Sequence, residues 1–149
     1  MASLSEQLGG GDTRAKVIQD ACGVLDQEVA DKGGLSGIAI KGAYKVVQGI
    51  KPGFVPEVVD ALLDDFLTAI DPLYQEAASK QRPAGAYLRE NSSRVADALL
   101  AVTDRRATSA KRQVVRSAYD KLRPMAKKQV EAATPRLADM LDRHAAKTG

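Results

Sequence analysis

Apolar residues recur at spacings of three and four along most of this chain, and no useful length alternates apolar with polar residues as a half-buried strand would. That rhythm confines the chain to helices. Ile18, Ala21, Cys22, Leu25 and Val29 mark a first helix, with Asp12 or Thr13 as its cap and Gly33-Gly34 as its end. Ser36 can cap a second, carrying Ile40, Ala43, Tyr44, Val47 and Ile50 up to Pro52-Gly53. Its glycines, Gly37, Gly42 and Gly49, each cost about 1 kcal/mol against alanine in a helix interior, so close packing on a neighbouring backbone is expected to explain them.

The strongest pattern opens at Pro56, with Val58, Val59, Leu62, Leu63, Phe66, Leu67 and Ile70 on one face and Glu57, Asp60, Asp64 and Asp65 on the other. At Asp71-Pro72 the helix is expected to kink or restart, and a short segment with Leu73, Tyr74 and Ala77 runs toward Pro83. Residues 84–91 fit no pattern clearly. Asn91 to Ser93 can cap a helix with Val95, Ala96, Leu99, Leu100 and Val102. Beyond Ser109, Val114, Val115, Ala118, Tyr119 and Leu122 form another, with breaks expected at Pro124 and Pro135 before a last helix holding Leu137, Met140, Leu141 and His144.

These segments predict an all-α, compact multi-helix bundle of about six to eight helices. Residues 1–11, polar with the triple glycine Gly9 to Gly11, are expected to be a flexible leader, and 12–149 a single helical domain. A second architecture is also open. Asp20, Asp60, Asp97 and Asp139 each sit in an apolar-x-Asp-small-apolar pattern, with Met140 as the small residue in the last, and recur at about 40 residues, the period of a short HEAT-like two-helix repeat array. Helix-start chemistry, which favours aspartate, produces the same pattern without any repeat.

Lys41-Gly42-Ala43-Tyr44-Lys45-Val46-Val47, then Lys51-Pro52-Gly53-Phe54-Val55-Pro56 and the leucine-rich acidic helix to Ile70, resembles an uncharacterised family of small all-helical bacterial proteins. The resemblance is confined to residues 41–70 and implies no active residue.

The inventory of reactive side chains is short. One cysteine, Cys22, cannot form an intramolecular disulfide and points to a reducing, cytoplasmic setting; it is expected to be a buried structural thiol. His144, near a helix C-terminus, is expected to be solvated or to complement the helix dipole. There is no histidine or cysteine cluster for zinc and no poised nucleophile and base. Gly9 to Lys16 lacks the preceding strand and the Gly-Lys-Ser/Thr ending of a phosphate loop. No cofactor is expected. The amino-terminal residues do not read as a signal peptide, and no window approaches the roughly 20 apolar residues that cross a bilayer, so membrane insertion is not expected.

Charge is the informative feature. Net charge is +3, but residues 1–75 carry −5 and residues 76–149 carry +8. Asp60, Asp64 and Asp65 make a candidate acidic surface. Arg105, Arg112, Arg116, Arg123 and Lys127 make a candidate basic one, a ridge if the helix were unbroken. The leading expectation is a non-enzymatic protein-protein interaction or scaffold protein, with a protein partner or self-association through these faces. The alternatives are a nucleic-acid-binding accessory protein using the basic stretch 105–128, and a metal-dependent enzyme using the aspartates. Against nucleic acid stands the scarcity of aromatics, 4% of residues, to stack on bases. Against the enzyme stands the Asp-x-x-x-Asp-Asp spacing, which differs from the Asp-Asp-x-x-Asp of prenyl-transferring helical enzymes.

Overall fold

The computed structural model describes the backbone of residues 3–148 and the side chains of residues 3–145; Met1 and Ala2 of the expected leader lie outside the described residues. Seven helices and no strand occur among them: α1 Leu4–Leu8, α2 Gly11–Asp31, α3 Gly34–Gln48, α4 Phe54–Ser79, α5 Ala84–Glu90, α6 Ser92–Thr108 and α7 Gln113–Thr148.

The leader departs from expectation. Residues 4–8 form α1, and Leu4 and Leu8, four apart on one face, are completely buried. Ser3 caps the helix, its hydroxyl accepting from the Glu6 amide at 3.1 Å. The Leu4 amide donates to Asp71 Oδ1 at 2.8 Å. Asp71 therefore does not restart its own helix at Asp71-Pro72; it satisfies the orphan donor of another.

All three interior prolines lie inside continuous helices, Pro72 in α4 and Pro124 and Pro135 in α7, rather than breaking them. Each proline is exposed. Each frees the carbonyl four residues earlier, on Thr68, Asp120 and Glu131, and these residues are exposed or half-exposed, so water can satisfy them. Packing supplies the rest: α7, 36 residues long, lies against α1, α2, α3, α5 and α6. An exposed proline removes one hydrogen bond from a helix that many side chains hold in place.

That same central helix excludes the repeat array. In a solenoid each unit touches only its sequence neighbours, whereas here α1 packs on α4 and α2 on α7. The fold is a compact bundle whose core gathers Leu4, Leu8, Val17, Leu63, Leu67, Ile70, Leu73, Tyr87, Leu88, Val95, Met140 and Leu141. The four periodic aspartates have a shared use nonetheless, each meeting a base on another helix: Asp20 with His144, Asp60 with Arg14, Asp97 with Lys127 and Asp139 with Arg89.

Left-handed backbone falls on glycine at joints, at Gly11 where α2 begins and again further on. Gly34 and Gly53 have φ of 67° and 76°, in the left-handed region, where each chain segment turns into the next helix. Gly37 confirms close packing, since a Cβ there would meet the Lys32 carbonyl oxygen at 2.6 Å. Gly42 does not, for a Cβ there would meet open space.

Candidate functional site

The helical faces that the sequence assigns to a solid core leave space between them, partly open to solvent. Val17, Ala21, Val24 and Glu28 on α2, Val59, Leu63, Phe66 and Ile70 on α4, and Leu122, Ala126, Gln129, Val130, Ala133 and Leu137 on α7 line a cavity of about 390 Å³. Leu99 of α6 and Ile40 of α3 complete the wall. Each set follows the three-and-four rhythm, which brings the residues of one helix onto one face. Alanines at 21, 126 and 133 contribute little volume where a leucine would reach across.

The lining runs from Val17 to Lys32 along α2, about 22 Å at 1.5 Å per residue, so the space is elongated along the helices. Small-molecule sites occupy roughly 300–1,000 Å³ and favour the spaces between helices of bundles. Almost every lining side chain is apolar; Glu28, Lys32 and Gln129 are the polar ones. Water within such a wall finds few partners, whereas a hydrocarbon chain needs none.

Its polar end is organised. Lys32 Nζ meets Glu28 Oε2 at 3.0 Å one turn away on α2, and Arg136 of α7 reaches Glu28 Oε1 at 3.0 Å and Asp31 Oδ2 at 2.5 Å. The Glu28 and Lys32 side chains are only 12% and 15% exposed. Burial of this kind strengthens an ion pair relative to one in open water. The Arg136 guanidinium is held above its ordinary pKa, chiefly by its hydrogen bond to Asp31. Two cations and two carboxylates thus face one another where the apolar wall ends.

Cys22 departs from expectation in degree: it is half-buried beside Asp26 and Tyr44. Burial, then the Asp26 charge, raises its pKa, which keeps the thiol protonated and a poor nucleophile. The Tyr44 hydroxyl donates to Asp26, and desolvation followed by this bond pushes its pKa well up. His144 corrects the expectation of a solvated side chain. It is 7% exposed at the edge of the core, its Nε2 at 2.6 Å from Asp20 Oδ2.

The charged surfaces are partly spent inside the molecule. Arg14 clasps both Asp60, at 2.9 Å, and Asp64, at 2.8 Å, and Arg106 holds Asp65 at 2.7 Å. Arg123 pairs with Asp104 at 2.9 Å and Lys127 with Asp97 at 3.1 Å, both across the α6 and α7 contact. The basic ridge is divided, because Arg105 lies in the last turn of α6, Arg112 precedes α7, and of the five only Arg116, Arg123 and Lys127 share α7. Arg112 lies over the Phe54 ring at 5.5 Å, and Arg116 donates to Gln113. Arg105, Arg112 and Arg116 form no ion pair among the described residues. Nor does any group of three His, Cys, Asp or Glu residues gather among them to hold a metal ion. No described helix is long and apolar enough to cross a membrane.

Sequence reasoning identified Ala21, Val59, Leu63, Phe66, Ile70, Leu122 and Leu137 as apolar-face residues but not as a wall. It passed over Val24, Glu28, Lys32, Ala126, Gln129, Ala133 and Arg136. A legible signal was available for part of this set: Ala126, Gln129 and Ala133 place small or polar residues on the stripe that Leu122, Val130 and Leu137 define. The meeting of Arg136 with Glu28, 108 positions apart, had none.

No curated protein and no solved structure matches this chain. A family model does, over residues 4–145, and its span includes α1 and the whole cavity wall. The chain belongs to a family of unknown function, DUF6918.

Proposed function

We propose that this protein is a non-enzymatic binder of an apolar, chain-bearing small molecule, such as a fatty acyl compound. The single observation that carries the reading is the elongated cavity between α2, α4 and α7, apolar along its length except at Glu28, Lys32 and Gln129, with Glu28 held by Lys32 and by Arg136 behind it. The chain would lie along the wall, with a polar head against the Lys32 ammonium or the Gln129 amide. The single cysteine, which has no disulfide partner in the chain, supports a reducing setting, so the cytoplasm is the proposed location.

The test is a titration of the protein with a long-chain fatty acid, the matching fatty alcohol and a short-chain acid, followed by thermal denaturation. Long chains should raise Tm and displace an apolar fluorescent probe, while the short acid does neither. Equal inertness of all three would end the reading. Preference for the acid over the alcohol would place the head beside Lys32, and Lys32→Gln should remove that preference while leaving the chain-length dependence.

A second reading is contact with an acidic protein surface through Arg105, Arg112 and Arg116, favoured by their having no carboxylate partner among the described residues. Self-association through the opposed charged faces is less favoured, because Arg14 and Arg106 already engage Asp60, Asp64 and Asp65. A salt-sensitive increase of mass in light scattering would support self-association. A mobility shift of duplex nucleic acid at about 50 mM salt would instead assign the arginines to phosphates.

A further inference from the structure

We infer that α3 is a membrane-surface docking element that rests on anionic lipid. Helix burial normally places the apolar side inward, yet α3 has large apolar side chains on its solvent side: Leu35 is 86% exposed, Ile38 71% and Val46 50%. At 100° per residue, Leu35, Ile38, Gly42 and Val46 fall within about 80° of the helix circumference. Its other side, with Ile40, Tyr44 and Val47, is half-buried against the bundle. Single exposed leucines are ordinary on a protein surface, but three large apolar side chains on one face of one helix form a patch.

Charge selects the occupant. Lys41 and Lys45 line one edge of the patch, and neither forms an ion pair among the described residues. From Lys32 to Pro56 the chain contains four lysines and no aspartate or glutamate. Lys51, the fourth, is paired with Glu57 at 2.8 Å, so Lys41 and Lys45 carry the free charge. An apolar strip edged by unpaired lysines suits an anionic bilayer surface, where the side chains enter the headgroup boundary and the ammonium groups meet phosphate. A copy of this chain would set the same lysines near each other across a two-fold contact. Helix α3 would lie on the membrane without spanning it.

This inference stands on surface chemistry and does not require the cavity to bind a ligand. Full-length protein is sedimented with phosphatidylcholine vesicles with and without about 30% phosphatidylglycerol. Binding to the anionic vesicles, weakened by salt, is expected. Lys41→Gln with Lys45→Gln should weaken it roughly 30-fold, and Leu35→Ser with Ile38→Ser by a similar factor or more. These positions are exposed and lie outside the cavity wall, so circular dichroism and Tm should be unchanged. Absence of sedimentation, equal binding to neutral vesicles, or binding indifferent to both variants would overturn the inference. So would a concentration-dependent dimer that the serine variants dissolve while vesicles fail to bind. Loss of apolar-probe binding with vesicle binding intact would sink the cavity reading alone.

Discussion

His144 near the end of α7 and Asp20 on α2, 124 positions apart, meet at 2.6 Å between Nε2 and Oδ2, and the imidazole is 8% exposed. Arg143 adds a longer contact to the same oxygen at 3.7 Å. One hydrogen bond at the edge of the core thus fastens the last helix to the first long one.

His144→Ala is expected to destabilise the fold by about 2 kcal/mol, from the lost hydrogen bond together with the space left behind. Asp20→Asn should cost less than about 1 kcal/mol, because an amide can face either nitrogen state of the ring. Urea denaturation of the two variants checks this. Equal losses would show that the carboxylate charge, rather than the hydrogen bond, holds α7.

The N-terminal segment should matter more than its polarity suggests. Leu4→Ala and Leu8→Ala should each cost about 2–4 kcal/mol if α1 unfolds only with the rest of the bundle. If α1 undocks first, the two losses will not add, since neither can exceed the energy of undocking. The double variant compared with the single ones in urea decides between these outcomes.

Pro124→Ala should stabilise the protein. Proline costs about 3 kcal/mol against alanine within a helix, while its stiffening of the unfolded chain returns about 0.4–1 kcal/mol. Exposure of Pro124 means that alanine meets no clash, so a net gain of about 2 kcal/mol or slightly more is expected, or a Tm higher by about 4 °C or more. A lower Tm would mean that the proline shapes α7 in a way the bundle needs.

What could be read in the sequence follows from how far apart the interacting groups lie. Five of the seven helices, including a stretch around Leu99 and the strongest one around Leu63, announce themselves through spacing within a few turns, whereas α1 and α5 do not. The prolines misled because a local rule was applied to α7, whose neighbours hold it from several sides. Leu4 and Leu8 were too few to show a period, and their destination beside α4 and α7 is a tertiary fact. His144 was read by its place near a helix end, although its partner lies at the other end of the chain. The cavity was hidden for a different reason: periodicity tells which faces turn inward, not whether the inward volumes sum to a filled core.

Acid should weaken the fold in part through Glu76. Arg94 grips its two oxygens at 3.0 Å each, and Tyr87 donates a further bond, so its pKa is lowered to about 2 from the usual 4.5. A depressed folded-state pKa contributes stability that is present above the unfolded value and fades as pH falls from 4.5 toward 2. Asp104, lowered by Arg123 and then Tyr119, acts in the same direction. Glu76→Gln should therefore be less stable than the parent at neutral pH, with the difference shrinking as the medium approaches pH 2. Denaturation midpoints at a series of pH values provide the check, and a constant difference would contradict it.

The sign of a stability change can tell real space from tight packing at Ala126. Into a close-packed core, alanine to leucine forces neighbours aside and costs about 1–3 kcal/mol. Into the cavity lined by Ala126 and Ala133, the added methyl groups gain burial of about 0.8 kcal/mol each without displacing a neighbour. Ala126→Leu is therefore expected to stabilise the protein by about 1–2 kcal/mol in urea. The same substitution takes volume from a bound chain, so the Tm increase produced by a long-chain fatty acid should shrink by at least half. A parent protein held at 100 times Kd gains about 2.7 kcal/mol from its ligand, which makes that contrast measurable. Stabilisation with the ligand response intact would place the ligand elsewhere, and destabilisation would mean that α2, α4 and α7 close on one another in solution.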